Sequence, residues 1–227
     1  MSVLRRRLEE VRYRVAAACA RARRDPASVA LVAVSKTVPA ELVLEAVAAG
    51  QGVFGENRVQ EALPKIAAAG PAARWHLVGH LQRNKAKLAT GAFDLIHSVD
   101  DAELAREIDT RAAAKGLVQR VLIQVNMAGE ETKSGAAEDG LRPLVEAVAA
   151  LPHLRLDGLM TIPPPADDPE ASRPWFRRLR ELRDRISESL SLPLPDLSMG
   201  MTDDFEPAIE EGATLVRVGR AIFGERA

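Results

Sequence analysis

The stretch that decides the fold is "VALVAVSKTVPAELVLEAVAAGQGVFGE", residues 29 to 56. Its first six residues, Val29 to Val34, are all apolar and with Ser35 read as a strand buried on both faces, the pattern of a parallel sheet covered by helices. "PAELVLEAVAAG", 39 to 50, then has a helical period and closes on Gly50 at the expected C-terminal cap. "GVFGE", 52 to 56, starts the next strand. Outward from this unit the alternation continues. Strands are predicted at RWHLVGH (74 to 80), FDLIHSV (93 to 99), QRVLIQVN (119 to 126), LRLDGLMTI (154 to 162), DLSMG (196 to 200) and LVRVG (215 to 219), eight in all with the opening pair. Helix-like segments lie between them, among them "NRVQEALPKIAAAG", "DDAELAREIDTRAAAKG", "PLVEAVAALP", "WFRRLRELRDRISESL" and "DDFEPAIEEG". Eightfold strand–helix alternation predicts an α/β fold of the (β/α)8 TIM-barrel type, with a doubly wound open sheet as the competing arrangement.

The 227 residues, 47% of them hydrophobic, suit one domain spanning 1–227 with a single large core. Before the first strand, "VLRRRLEEVRYRVAAACARARR" places apolar residues at 4, 8, 11 and 15, so residues 1–24 are expected to form an amphipathic helix packed on the barrel. Its arginines read as a solvated face, and Tyr13 as packing. The segment 175 to 190 reads the same way, with Glu181 able to pair with Arg177 and Arg185. One cysteine, Cys19, excludes a disulfide framework and a thiolate metal cluster, which points to a reducing compartment, the cytoplasm by default. No apolar h-region follows Arg5, Arg6 and Arg7, and no run is long enough to span a membrane. With 31 basic against 32 acidic residues there is no global field for nucleic acid, and neither arginine-rich helix alternates its charges with aromatics. A monomer is expected.

A barrel builds its site where the strands run out at their C-terminal ends. Lys36 ends the first strand, and only six of the 31 basic residues are lysines. A primary amine there is either a plain strand-end charge or a Schiff-base former. Asn57, His80, Asn126 and Thr161 end later strands. After the seventh come Ser198, Met199, Gly200 and Thr202, and after the eighth Gly219 and Arg220, where the loops of this fold usually hold phosphate. Asp203 and Asp204 oppose an anion unless they point outward. Within "LVRVG", a period of two sets Arg217 opposite to Val216 and Val218, so its charge needs a partner, either a ligand or a buried carboxylate.

Other motifs fall away on context. "GQGVFG", 50 to 55, matches the dinucleotide fingerprint in letters, but its glycines span a strand instead of following one. His76 and His80 are separated along a strand by about 13 Å, too far for one metal. No metal site is expected, and His76, His97 and His153 read as structural.

An amine at one strand end and a phosphate cradle across the mouth fit pyridoxal 5'-phosphate held as a Schiff base on Lys36. The motifs "LVAVSKTVPAE", "FGENRVQEALPK", "WHLVGHLQRNK", "HSVD", "VLIQVNMAGEETKSG", "GLMTIPP" and "LSMGMTDDFEPAIEEGATLVRVGRAIFG" are similar, in order and spacing, to those of the pyridoxal phosphate homeostasis proteins, over nearly the whole chain. The resemblance implies the barrel of the alanine racemase N-terminal domain, the type III fold among enzymes of this cofactor. It implies that Lys36 carries the cofactor, that Asn57 and His80 lie near it, and that residues 198–202 and 217–220 bind phosphate and ring. Thr202 stands where a serine is common, and either hydroxyl can donate to phosphate. The function it implies is intracellular vitamin B6 homeostasis and amino and keto acid balance with little or no turnover, the partners being the cofactor and apo enzymes that need it.

Two alternatives are enzymes: an amino acid racemase, or a Schiff-base aldolase. A racemase of this barrel needs a second base, a tyrosine from an added domain of a partner subunit, and this chain has one tyrosine, Tyr13. In the loop after the fifth strand, Lys133 is either a solvated lysine or an acceptor of the aldehyde in transit.

Overall fold

Each apolar run becomes a strand, and each strand pairs in parallel with the next. The computed structural model describes residues 2–130 and 134–224. In chain order the elements are α1 (Val3–Arg21), β1 (Ala30–Val34), α2 (Ala40–Ala48), β2 (Val53–Glu56), α3 (Val59–Ala69), β3 (Arg74–Leu77), α4 (Ala86–Ala89), β4 (Leu95–Val99), α5 (Ala102–Ala114) and β5 (Gln119–Gln124). They continue with α6 (Leu141–Ala149), β6 (Leu154–Met160), α7 (Arg173–Leu190), β7 (Asp196–Ser198), α8 (Phe205–Glu210), β8 (Leu215–Val218) and α9 (Arg220–Phe223). The sheet closes in the order β1 to β8, and the closing seam pairs Ala30 with Leu215, Leu31 with Val216, Val32 with Arg217 and Ala33 with Val218. That seam excludes the open-sheet alternative.

Strand alternation divides the apolar residues into two cores. Val32, Leu95, Leu122, Met160 and Leu215 fill the barrel, whereas Ala33, Phe54, Ile96, Ile123, Val216 and Val218 pack outward against the helices. Each fully buried Leu, Ile or Phe contributes roughly 1.5–3 kcal/mol relative to exposure, so the outer core, much the larger of the two, contributes most. Six of the observed strands stop one to three residues short of the apolar runs because the last residues turn away to build the mouth, whereas β2 and β4 end where their runs end. The run RWHLVGH, for example, is strand only from Arg74 to Leu77. The short α4 is an element that the reading of the sequence did not anticipate. At four residues it is a single turn, too short to show a period.

The arginine faces are not simply solvated, which corrects the expectation for both long arginine-rich helices. Helix α1 buries Leu4, Leu8, Val11 and Val15. From its other side, Arg12 donates to the Gly50 carbonyl at 2.7 Å and Arg14 to Glu206 at 2.7 Å. Just beyond it, Arg24 donates to the Ile209 carbonyl at 2.6 Å. Tyr13 was expected to pack and instead is 72% exposed. On α7, Arg177 pairs with the buried Glu211, at 2.8 Å, and not with Glu181, joining Arg173 at 3.4 Å and Arg180 at 3.1 Å on the same carboxylate.

Candidate functional site

Lys36 owes its position to a buried clamp. β1 ends at Val34, and the turn that follows is closed by the Val38 N–H donating to the Ser35 carbonyl at 3.0 Å. Thr37 sits in the left-handed region at φ 63°, a conformation that side chains other than glycine adopt only when their surroundings impose it. The surroundings do. The Ser35 hydroxyl donates to Glu56 Oε1 at 2.7 Å, and Lys65 Nζ donates to both Glu56 Oε1 and the Ser35 carbonyl, each at 2.7 Å. Glu56 is fully buried at the end of β2, and its second oxygen has no hydrogen-bond partner among the described residues. The ion pair therefore ties α3 and β2 to the backbone carbonyl immediately before Lys36.

On the neighbouring strand β8, in register with Val32 of β1, Arg217 is 4% exposed and lies on the inner face of the barrel. Its Nη1 donates to Ser198 Oγ at 2.6 Å and its Nη2 to the Thr161 carbonyl at 2.9 Å. Both partners are neutral. Burial pushes its titration down to about 10, against a smaller upward pull from Asp204. A guanidinium carries five N–H donors, so most of this one's remain for something in the cavity it lines. Between Lys36 and Arg217 the cavity measures about 520 Å³, with Val34, Val78 and Ile162 as apolar walls. Its third side is the pair of loops after β7 and β8. There the Gly219 N–H points at Thr202 Oγ1 at 3.4 Å, and Arg220 pairs with the exposed Asp203. Asp204 is turned away and accepts the Met201 N–H at 2.7 Å, which removes one of the two carboxylates from the cradle.

The chain that builds this cavity has close relatives. Residues 7–227 match the family model described as alanine racemase, N-terminal domain. The chain is 50% identical over 221 residues to a pyridoxal phosphate homeostasis protein of Aquifex aeolicus, covering 97% of each chain. It is 47% identical to the one of Pseudomonas aeruginosa, covering 100% of this chain and 97% of that one. The chain belongs to the pyridoxal phosphate homeostasis protein family. Among solved structures it is similar to PipY of Synechococcus elongatus PCC7942 with PLP bound, with a TM-score of 0.87 and 37% identity over 97% of this chain and 100% of that one.

Six of the ten residues expected at the site line one cavity: Lys36, Asn57, Thr202, Arg217, Gly219 and Arg220. His80 stands beside it, lining smaller hollows at the rim, half exposed and 3.5 Å from Asp100. Burial raises the Asp100 carboxyl above its ordinary range, His80 opposing this. The other three, Ser198, Met199 and Gly200, are not among the residues lining this cavity. Ser198 is fully buried and its hydroxyl serves Arg217 and His97. Met199 points into the outer core. Gly200, at φ 87°, lies so close to α8 that a Cβ there would come within 2.5 Å of Ala208 Cβ. Lys133 lies outside the described residues. Asn126 donates to the Glu130 carbonyl at 2.8 Å and so braces its own loop.

The clamp itself escaped the sequence reading. Its signal was available, because Val59, Ala62 and Lys65 repeat every third residue on the buried side of α3, and a lysine in that series needs a buried acceptor.

Proposed function

We propose that this chain holds pyridoxal 5'-phosphate in the barrel mouth and releases it to apo enzymes that depend on it, with little or no turnover of amino acids. The observation that carries the reading is the buried Arg217, a cation with no carboxylate partner among the described residues, lining the same cavity as Lys36. Bound there, the cofactor supplies an aldehyde that condenses with a primary amine with loss of water. Lys36, fixed by its clamped turn, is the amine. Arg217 is the donor for the ring nitrogen, and because it keeps its proton it leaves that nitrogen unprotonated. Thr202, the Gly219 N–H and Arg220 suit the phosphate, since a hydroxyl, a backbone donor and a guanidinium all favour a dianion. Asn57 lines the same cavity. PipY, with PLP bound, supports the choice of ligand.

The same residues argue against fast racemisation, the second reading. Proton exchange at a substrate carbon on both faces needs two bases. Tyr13, the single tyrosine, is exposed on α1 outside the barrel and lines no part of the cavity. An unprotonated ring nitrogen also weakens the cofactor as an electron sink. The deciding experiment is the visible spectrum of the purified protein, followed by borohydride reduction, peptide mapping and exchange of amino acid α-protons in deuterated water. The expected result is a cofactor band that maps to Lys36, is lost in Lys36→Ala, and gives no exchange at enzymatic rates of about 1 per second or faster. A label on another lysine would overturn the site, and fast exchange would promote the racemase reading.

A further inference from the structure

Beneath Arg217 the barrel interior holds a continuous file of polar side chains that the cofactor reading does not use. Ser198 Oγ lies 2.8 Å from His97 Nδ1, and His97 Nε2 lies 3.0 Å from His76 Nδ1. Ser198 and His97 are fully buried and His76 is 5% exposed. In such a place each donor needs an acceptor, and an unmade hydrogen bond is costly. One arrangement gives the Ser198 hydroxyl proton an acceptor among the contacts described. Arg217 Nη1 can only donate, so Ser198 Oγ accepts from it and must send its own proton onward. The acceptor in reach is His97 Nδ1, which therefore carries no proton. His97 is then protonated on Nε2, donates to His76 Nδ1, and leaves His76 with its own proton on Nε2. Reversing the histidines would give Ser198 two donors and strand its hydroxyl proton. A protonated His97 would do the same and would place a second cation beside Arg217.

We propose that Ser198, His97 and His76 are positioning residues, a one-way file of neutral donors and acceptors that starts at Arg217 and fixes its guanidinium at the floor of the cavity. The second anchor of Arg217 is equally rigid. The Thr161 carbonyl it bonds belongs to a residue whose N–H donates to the Ser198 carbonyl at 3.1 Å and whose hydroxyl donates to the Val125 carbonyl at 2.9 Å. Strands β5, β6 and β7 thus hold both acceptors, and the remaining donors of Arg217 keep one orientation. Burial adds to the effect by holding both imidazoles neutral. The consequence for a bound ring rests on the cofactor reading above; the proton positions do not.

Two measurements separate them. Two-bond nitrogen–proton correlation NMR on the protein with labelled histidines, without any ligand, is expected to show His97 and His76 neutral and protonated on Nε2 between about pH 5 and 8. A proton on His97 Nδ1, or a charged ring, would overturn the file. With pyridoxal phosphate added, Ser198→Ala is expected to weaken retention about tenfold and shift the absorbance of the bound cofactor, while Ser198→Thr, which keeps the hydroxyl, restores both. Retention and absorbance unchanged in Ser198→Ala would overturn the positioning role. Should that variant not fold, the tautomers of the wild-type protein still decide. Wild-type protein that takes up no cofactor would remove the cofactor reading and leave the tautomer result standing.

Discussion

At the scale of single residues, the mouth is held by charges that have left water. The pair of Lys65 and Glu56 is the clearest case, with both partners buried and one carboxylate oxygen without a hydrogen-bond partner among the described residues. Breaking a buried pair from one side leaves a bare charge, which costs about 3–5 kcal/mol, whereas removing both charges costs much less. Lys65→Met is therefore expected to lower the urea midpoint sharply and to slow condensation of an aldehyde at Lys36, because the Ser35 carbonyl loses its anchor. The double variant Lys65→Met with Glu56→Gln should recover most of the stability; a double variant as unstable as the single one would dismiss the clamp. Lys36 and Arg217 were legible in the sequence for a plain reason. A charge that interrupts an apolar strand must have a purpose, and the period of two says which way it faces. Ser198 was not legible, since a hydroxyl at a strand end serves a ligand or a neighbour with the same pattern.

Among the elements, the arginine-rich helices show where reading a sequence stops. Their apolar faces were plain from spacing alone. Partners of their arginines were not, because Glu206 and Glu210 lie 192 and 189 residues from Arg14 and Arg21, and Glu211 lies 34 from Arg177, so these pairs form only when α8 packs against α1 and α7. Glu211 gathers Arg173, Arg177 and Arg180 at the end of α8. Its burial raises its titration, but the guanidiniums outweigh that and hold it below the usual carboxylate range, Arg177 first among them. Glu211→Ala would free three arginines that keep partial access to water, so the expected loss is about 1–3 kcal/mol, less than for the Lys65 clamp. Denaturation with and without the substitution checks this, and a change within about 0.5 kcal/mol would mean that the cluster is only a surface ornament.

For the whole molecule, eight repeats of strand and helix made the topology legible, and the closing seam made it a barrel. A barrel interior of this kind carries a cost in acid. Burial, then Arg120 and Arg74, pushes the His76 titration down to about 3, and His97 is pushed well below the ordinary range by burial and then by His76, Arg217 and Arg120. The unfolded chain takes up protons on these imidazoles near pH 6.5 and the folded one does not. Stability is therefore full above about pH 6.5 and falls as the pH falls below it, by up to about 1.4 kcal/mol per unit for each histidine. Carboxylates held low, such as Glu211, add their loss only further down, near and below about pH 4.5. Urea midpoints between about pH 7.5 and 5 should show the slope, and His76→Gln should flatten it; a flat wild-type profile would contradict the burial of neutral histidines. The seam between β1 and β8 also sets a clock. Lys36 leaves the ribosome early, but Arg217, Gly219 and Arg220 follow about 180 residues later, which at about 5–20 residues per second is roughly 10 to 40 s. Through that interval the amine is made and its cage is not, so a nascent chain halted before β8 is expected to carry an accessible Lys36 and to retain no pyridoxal phosphate in a pull-down, the newborn protein acquiring its grip only with the final strand.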